Sequence, residues 1–122
     1  MATVLPLFDD GDEISGIAGA AITGGQVVEM TADRTVSPTG AASAKVLGIA
    51  PSDAAAGAFC RIIRDGIWPL TAAAVVVAGD RVTSAAAGQV APIGAGTVDQ
   101  IFGVVWKGAA AGGTCYVALK IT

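Results

Sequence analysis

The chain has no histidine, which removes the side chain best placed to exchange protons near neutral pH. With only two cysteines, no CxxC pair and no imidazole, a zinc site lacks its ligands. No Gly-x-Ser-x-Gly, His-Glu-x-x-His or phosphate-cradling Gly-Lys-Ser/Thr sequence occurs, and no glycine is followed by lysine. Asp53, Asp65, Asp80 and Asp99 stand beside Gly, Ser or Gln in loop-like surroundings, so no carboxylate pair marks an acid–base site. These absences exclude the common enzyme classes, and the sequence reads as non-enzymatic, with no catalytic residue, cofactor site or metal site.

Charge is scarce as well. Charged residues make up 14% of the 122 residues and the net charge is −3, with Arg34, Lys45, Arg61, Arg64, Arg81, Lys107 and Lys120 scattered along the chain. A nucleic-acid surface needs clustered cations to displace counterions from phosphates, so no nucleic-acid partner is expected. The longest purely apolar run, Ala72 to Ala78, falls far short of the roughly 20 residues that cross a bilayer as a helix. No basic stretch opens the chain, and Asp9-Asp10-Gly11-Asp12-Glu13 interrupts any signal-like segment. A soluble, unprocessed chain without a membrane partner is expected. The acidic run lacks the alternating ligands and spaced glycine of a calcium loop and reads as a solvated turn.

Large side chains are few: three Phe, two Trp and one Tyr. The 53% hydrophobic content owes much to alanine, and 17 glycines favour tight turns and close backbone approach over long helices. What is present is a repeat. Val46-Leu47-Gly48-Ile49-Ala50, followed by Ala56-Gly57-Ala58-Phe59-Cys60, returns as Ile101-Phe102-Gly103-Val104-Val105, followed by Ala111-Gly112-Gly113-Thr114-Cys115, at an offset of 55. Upstream, Gly25, Val28, Val36, Pro38, Gly40 and Ala41 return as Gly79, Val82, Val90, Pro92, Gly94 and Ala95 at an offset of 54. The matches run from Ile22 to about Asp65 and from Val76 to Thr122. Two copies are too few for a solenoid, whose units bury their faces only against neighbours. They imply two halves of one closed all-β body.

The fold expected is therefore mainly β: a compact, barrel-like or β-tulip-like single domain of two duplicated halves, with at most short helical turns. Within 1–122, residues 1–17 form an N-terminal arm, 18–70 the first repeat and 71–122 the second. Gly48 should superpose on Gly103 and Cys60 on Cys115 about an approximate two-fold. The cysteines read as two small buried apolar residues; a disulfide would require them to face each other near the axis. Pro51 to Gly57 reads as a connector with room for one helical turn, Asp65-Gly66 as a hairpin-type turn, and Gln100 to Trp106 as a strand. Thr114 to Ile121 is the cleanest alternating run, with Cys115, Val117, Leu119 and Ile121 on one face.

Several segments together resemble the small capsid decoration (cement) proteins of tailed bacteriophages. They are Gly24-Gly25-Gln26-Val27, Val46 to Ala50, Ala54 to Ala58, Arg64 to Leu70, Ala78 to Thr83 and Ile101 to Val105. The resemblance spans about residues 18 to 119. It implies a β-tulip-like structural protein of the virion that binds the outer capsid surface as a homotrimer, stabilises the head and is assembled in the bacterial host cytoplasm. The partners it implies are the major capsid protein and other copies of the chain. Val4, Leu5, Leu7 and Phe8 of the arm are the expected capsid-binding residues, acting by strand addition to a capsid edge; the alternative is an edge strand on the arm's own barrel. Trp68, held extended by Pro69, and Trp106 are the expected interface residues. The other function considered is a small β-barrel module for carbohydrate or peptide ligands, with an exposed Trp68 or Trp106 as stacking platform.

Overall fold

β-branched and apolar residues at alternate positions, bounded by glycine turns, make ten short strands in the computed structural model, which describes residues 13–121. The strands are β1 (Glu13–Ala18), β2 (Gln26–Ala32), β3 (Thr35–Pro38), β4 (Val46–Ala50) and β5 (Phe59–Ile63), then β6 (Ile67–Thr71), β7 (Arg81–Ser84), β8 (Val90–Pro92), β9 (Gly103–Lys107) and β10 (Thr114–Leu119). Helical structure among the described residues is confined to single 3-10 turns at Ala86–Gly88 and Val98–Gln100. The protein is mainly β, as the sequence indicated.

The first five strands close into a barrel in the order β1-β3-β2-β4-β5, and the last five form a sheet in the order β6-β10-β9-β7-β8. These are the same arrangement. β1 runs antiparallel to β5 and parallel to β3, and β6 runs antiparallel to β10 and meets β8 through the parallel bridge Ala72–Val90. The lesser details repeat too. The bridge Ile22–Ala54 has its counterpart in Val76–Ala109. Gly57 N–H donates to Ala18 O at 2.7 Å and Gly112 N–H to Ala72 O at 2.7 Å. The φ angles are +91° and +92° at Gly25 and Gly79, and +85° and +83° at Gly57 and Gly112, a region that only glycine enters without strain. Gly48 and Gly103 lie on the equivalent strands β4 and β9, and Cys60 and Cys115 on β5 and β10.

Each half has its own core. In the first, Ala18, Ile22, Val28, Val36, Ala50, Cys60 and Ile62 pack together. Each has a repeat partner in the second: Ala72, Val76, Val82, Val90, Val105, Cys115 and Val117. The second core also receives Val27 and Ile49 from the first half. Successive residues of a strand face opposite ways, so Val27 points away from Val28, and Ile49 away from Ala50, into the other half. Double-sided burial of β2 and β4 joins the halves. Around this seam Thr39 Oγ1 donates to Ala85 O at 2.9 Å and Ser84 Oγ to Ala41 O at 2.8 Å.

Four local readings change. The repeat begins earlier than the sequence matches placed it, because Glu13–Ala18 is β1 and answers to β6; residues 13–17 are part of the barrel and not of an arm. Pro51 to Gly57 holds no helical turn: Asp53 Oδ1 accepts from Gly24 N–H at 2.8 Å across the loop instead of capping a helix. Asp65-Gly66 does not close a hairpin, since β5 pairs with β1 and β4 while β6 pairs with β10. It passes the chain from one half to the other, with Gly66 at φ +98°. Finally, Val98–Gln100 is a 3-10 turn closed by reciprocal Thr97 and Gln100 bonds, and the strand starts at Gly103.

Candidate functional site

Most large apolar side chains are in the two cores, so those left outside stand out. On the outer face of the second sheet the antiparallel register sets Tyr116 beside Pro69, and Ala118 between Ile67 and Val104. An irregularity interrupts β9–β10 here: Tyr116 opposes Lys107, while the next residue, Val117, opposes Val105. Trp106 is the extra residue. A bulge of this kind lets two consecutive side chains share a face, and Trp106 and Lys107 are both exposed beside Tyr116.

The resulting cluster is ordered. The Trp106 and Tyr116 rings meet edge to face, with centroids 6.4 Å apart and planes at 77°, an arrangement the ring quadrupoles favour. Lys107 Nζ lies 6.0 Å from the centre of the Tyr116 ring, at the outer limit of a cation–π contact. Trp106 remains 64% exposed and Ile67 49%, so the cluster is a platform and not a buried core. Arg81, opposite Val104, sits at its rim. A second, smaller apolar pair lies on the first barrel, where Phe59, 83% exposed, stands directly across from Ile17.

The sequence-derived candidates divide three ways. Val4, Leu5, Leu7 and Phe8 lie outside the described residues. Trp106 is on the outer platform. Trp68 is not: it pairs with Val117 on the inner face, packs against the larger core, and donates its indole N–H to Asp65 O at 2.8 Å. The two tryptophans therefore cannot form one surface. Sequence reasoning overlooked Phe59, although its shared parity with Arg61 in β5 was a signal that it faces outward. Nothing in the sequence announced the bulge that brings Trp106 to Tyr116.

Among the described residues no three acidic, histidine or cysteine side chains gather into a metal-binding group, and no helix is long and apolar enough to cross a membrane. Cys60 and Cys115 are buried free thiols, and Cys115 Sγ donates to Leu70 O at 3.4 Å. Burial raises both thiols above the ordinary value, with a Gly16 backbone hydrogen bond partly opposing the shift at Cys60. The folded state thus holds these protons more tightly than the unfolded chain. Stability from this source is complete below the unfolded thiol value of about 8.5 and declines as pH rises through the raised native values. Denaturant midpoints are expected to fall from about pH 8.5 upward, and a Cys60→Ser/Cys115→Ser variant should lose that alkaline slope. An unchanged slope would assign it to other groups.

Two duplicated β halves, each around its own apolar core, thus carry an exposed aromatic platform on the second sheet. The chain belongs to the phage cement protein family, whose model matches residues 8–121. This is a family of phage capsid-associated proteins. Among solved structures it is similar to the N base of the head fiber gp8.5 of bacteriophage phi29, at 16% identity and a TM-score of 0.67, over 88% of this chain and 92% of that one. That likeness concerns the fold. No protein of curated function matches by sequence.

Proposed function

We propose that this chain binds the outer surface of a phage head as a homotrimer and cements the capsid lattice, without catalysing a reaction. Membership of the cement family supports the role. The observation that carries the reading is the Trp106–Tyr116 platform. A folded chain leaves aromatic area exposed at a cost, and ordered, contiguous aromatic area is typical of recognition surfaces. Trp106 is the anchor each protomer buries against its neighbour, with Ile67 and Pro69 completing the contact. Closing such a head-to-tail contact after three copies gives a ring without free ends. Three linked protomers then turn modest contacts with the shell into tight attachment.

The test is co-sedimentation of the purified protein with heads lacking it, together with the mass in free solution by analytical ultracentrifugation. Saturable binding in multiples of three per lattice site, with increased resistance of the heads to heat or chelator, is the expected result. Binding in another multiple, or none to heads of the parent phage, would count against the reading.

A further inference from the structure

One face of the first half joins the two halves. Val27 and Ile49 are buried in the second half's core, and Val46 packs against it. The duplication carries this face a second time. At the offsets that relate the halves, Val27, Val46 and Ile49 become Arg81, Ile101 and Val104. These three, with Val98 and Lys120, border an open groove of about 910 Å³ on the second half. Arg81 and Val98 are exposed, and Ile101 and Val104 are half-buried. A face that is internal in one half is therefore external in the other.

The margins of the face correspond as well. At the internal seam a cleft of about 590 Å³ has Thr23, Ile49 and Pro51 on the first half's side, and Thr71 and Thr114 on the second's. The counterparts of Thr23 and Pro51 are Val77 and Trp106, both exposed. Those of Thr71 and Thr114 are Ile17 and Phe59. Strand register agrees: Ile17 stands opposite Phe59 between β1 and β5, as Thr71 stands opposite Thr114 between β6 and β10. Threonines and a proline border the internal cleft; valine, isoleucine and two aromatic rings take their places outside. Phe59 is almost wholly exposed, and Ala55-Ala56-Gly57-Ala58 before it has only small side chains, so another surface can come close to its ring.

A protruding apolar residue and a groove at different places on one molecule make a heterologous contact, which passes from copy to copy until a ring closes. The internal seam shows what this face accepts, a half of this same chain, and that favours a second copy over a foreign protein.

We propose that copies of the chain join by repeating their internal seam. The groove at Arg81, Ile101 and Val104 receives the first half of the next copy, with Phe59 and Ile17 set against Val104 and Trp106. This rests on the self-association reading above and names the surface that Trp106 meets. Arg81 in place of Val27 makes the outer contact more polar than the inner one, as suits a face that stands in water before it meets a partner. First and second halves then alternate around the assembled ring.

Photo-crosslinking from position 59 of the full chain tests the contact. Benzoylphenylalanine replaces Phe59, and a mixture of isotopically light and heavy chains separates links between copies from links within one. The expected link joins two copies and ends within residues 98–106 or at Val77. Phe59→Asp should keep the parent's melting temperature and associate about 30-fold more weakly. The absence of a link between copies overturns the proposal. So does a link to position 59 of another copy, or to a capsid protein when heads are present. A Phe59→Asp chain that associates like the parent overturns it equally. The trimer is judged separately, by mass. Dimers or tetramers carrying the link from position 59 to the groove keep this contact and overturn the trimer, whereas a trimer without that link overturns this contact alone.

Discussion

Replacing Gly48 by alanine is expected to destabilise the protein by about 3 kcal/mol, the upper end for forcing extra volume into a packed interior. A Cβ there would fall well inside contact distance of the Ile63 carbonyl oxygen and 2.8 Å from Ile62 Cγ2. The obstacle is backbone of the neighbouring strand, which cannot turn aside as a flexible side chain does. At this chain length the loss corresponds to a fall in Tm of about 12 °C. Gly103, the repeat counterpart, would place its Cβ 2.6 Å from Val117 Cγ1 and 2.7 Å from Ala118 O, and should behave alike. Gly25→Ala is the contrasting case: φ is +91° but nothing lies within 4 Å, so only the left-handed backbone opposes the methyl group, at about 1 kcal/mol. Thermal unfolding of the three variants checks the ranking. If Gly48→Ala melts within 2–3 °C of the parent, β4 and β5 can separate cheaply, and the close approach is not what makes position 48 glycine.

Trp106→Ala should act the other way, sparing the fold and removing assembly. Its ring is mostly exposed and touches Tyr116 at an edge, so the melting temperature should fall by no more than a few degrees, the edge-to-face contact contributing about 1 kcal/mol. In the proposed trimer, where it would anchor each protomer contact, it should be worth at least 2 kcal/mol per interface, about 30-fold. A trimer ring contains three such interfaces, so micromolar protein should sediment as a monomer. Without linked protomers, head binding should weaken by at least a hundredfold. Sedimentation velocity and head co-sedimentation read the two effects separately. A Trp106→Ala chain that stays trimeric and binds heads would remove the platform from the proposal and leave family membership untouched.

The duplication shows how much of the fold a one-dimensional pattern can carry. Gly25 and Gly79, Gly57 and Gly112, and Gly48 and Gly103 were aligned by the sequence because each does a local job, a turn at positive φ or a close strand approach, that no other residue does cheaply. The Cys115, Val117, Leu119 face of β10 was legible for a similar reason: period-two alternation survives when one side of a strand is buried and the other is wet. Position 13 was harder. Glu13–Ala18 shares little residue identity with Ile67–Thr71, because an outer strand of each ring needs only compatible backbone pairing, which many sequences provide.

The candidate site was half visible. Trp106 attracted notice as a rare large residue, and so did Trp68, but only the strand register distinguishes them: Trp68 opposes Val117 on the inner face, while the β9 bulge turns Trp106 outward. A bulge adds one residue to one strand and leaves no mark in composition or periodicity. Asp53 shows the same limit, because its bond to Gly24 joins residues 29 apart in the chain and outweighs the local tendency to cap a helix.

By itself, then, the sequence determined the class of the fold, its two-part construction and its glycine-dependent turns, all properties stored in residue type and spacing. The tertiary structure alone decided that Val27 and Ile49 are shared with the other half's core, that the first five strands close into a barrel, and that Trp106 and Tyr116 meet on one face. These depend on which strand lies beside which and in what register. Pairing between residues far apart in the chain is set by the packing of the whole body, and no short stretch of sequence contains it.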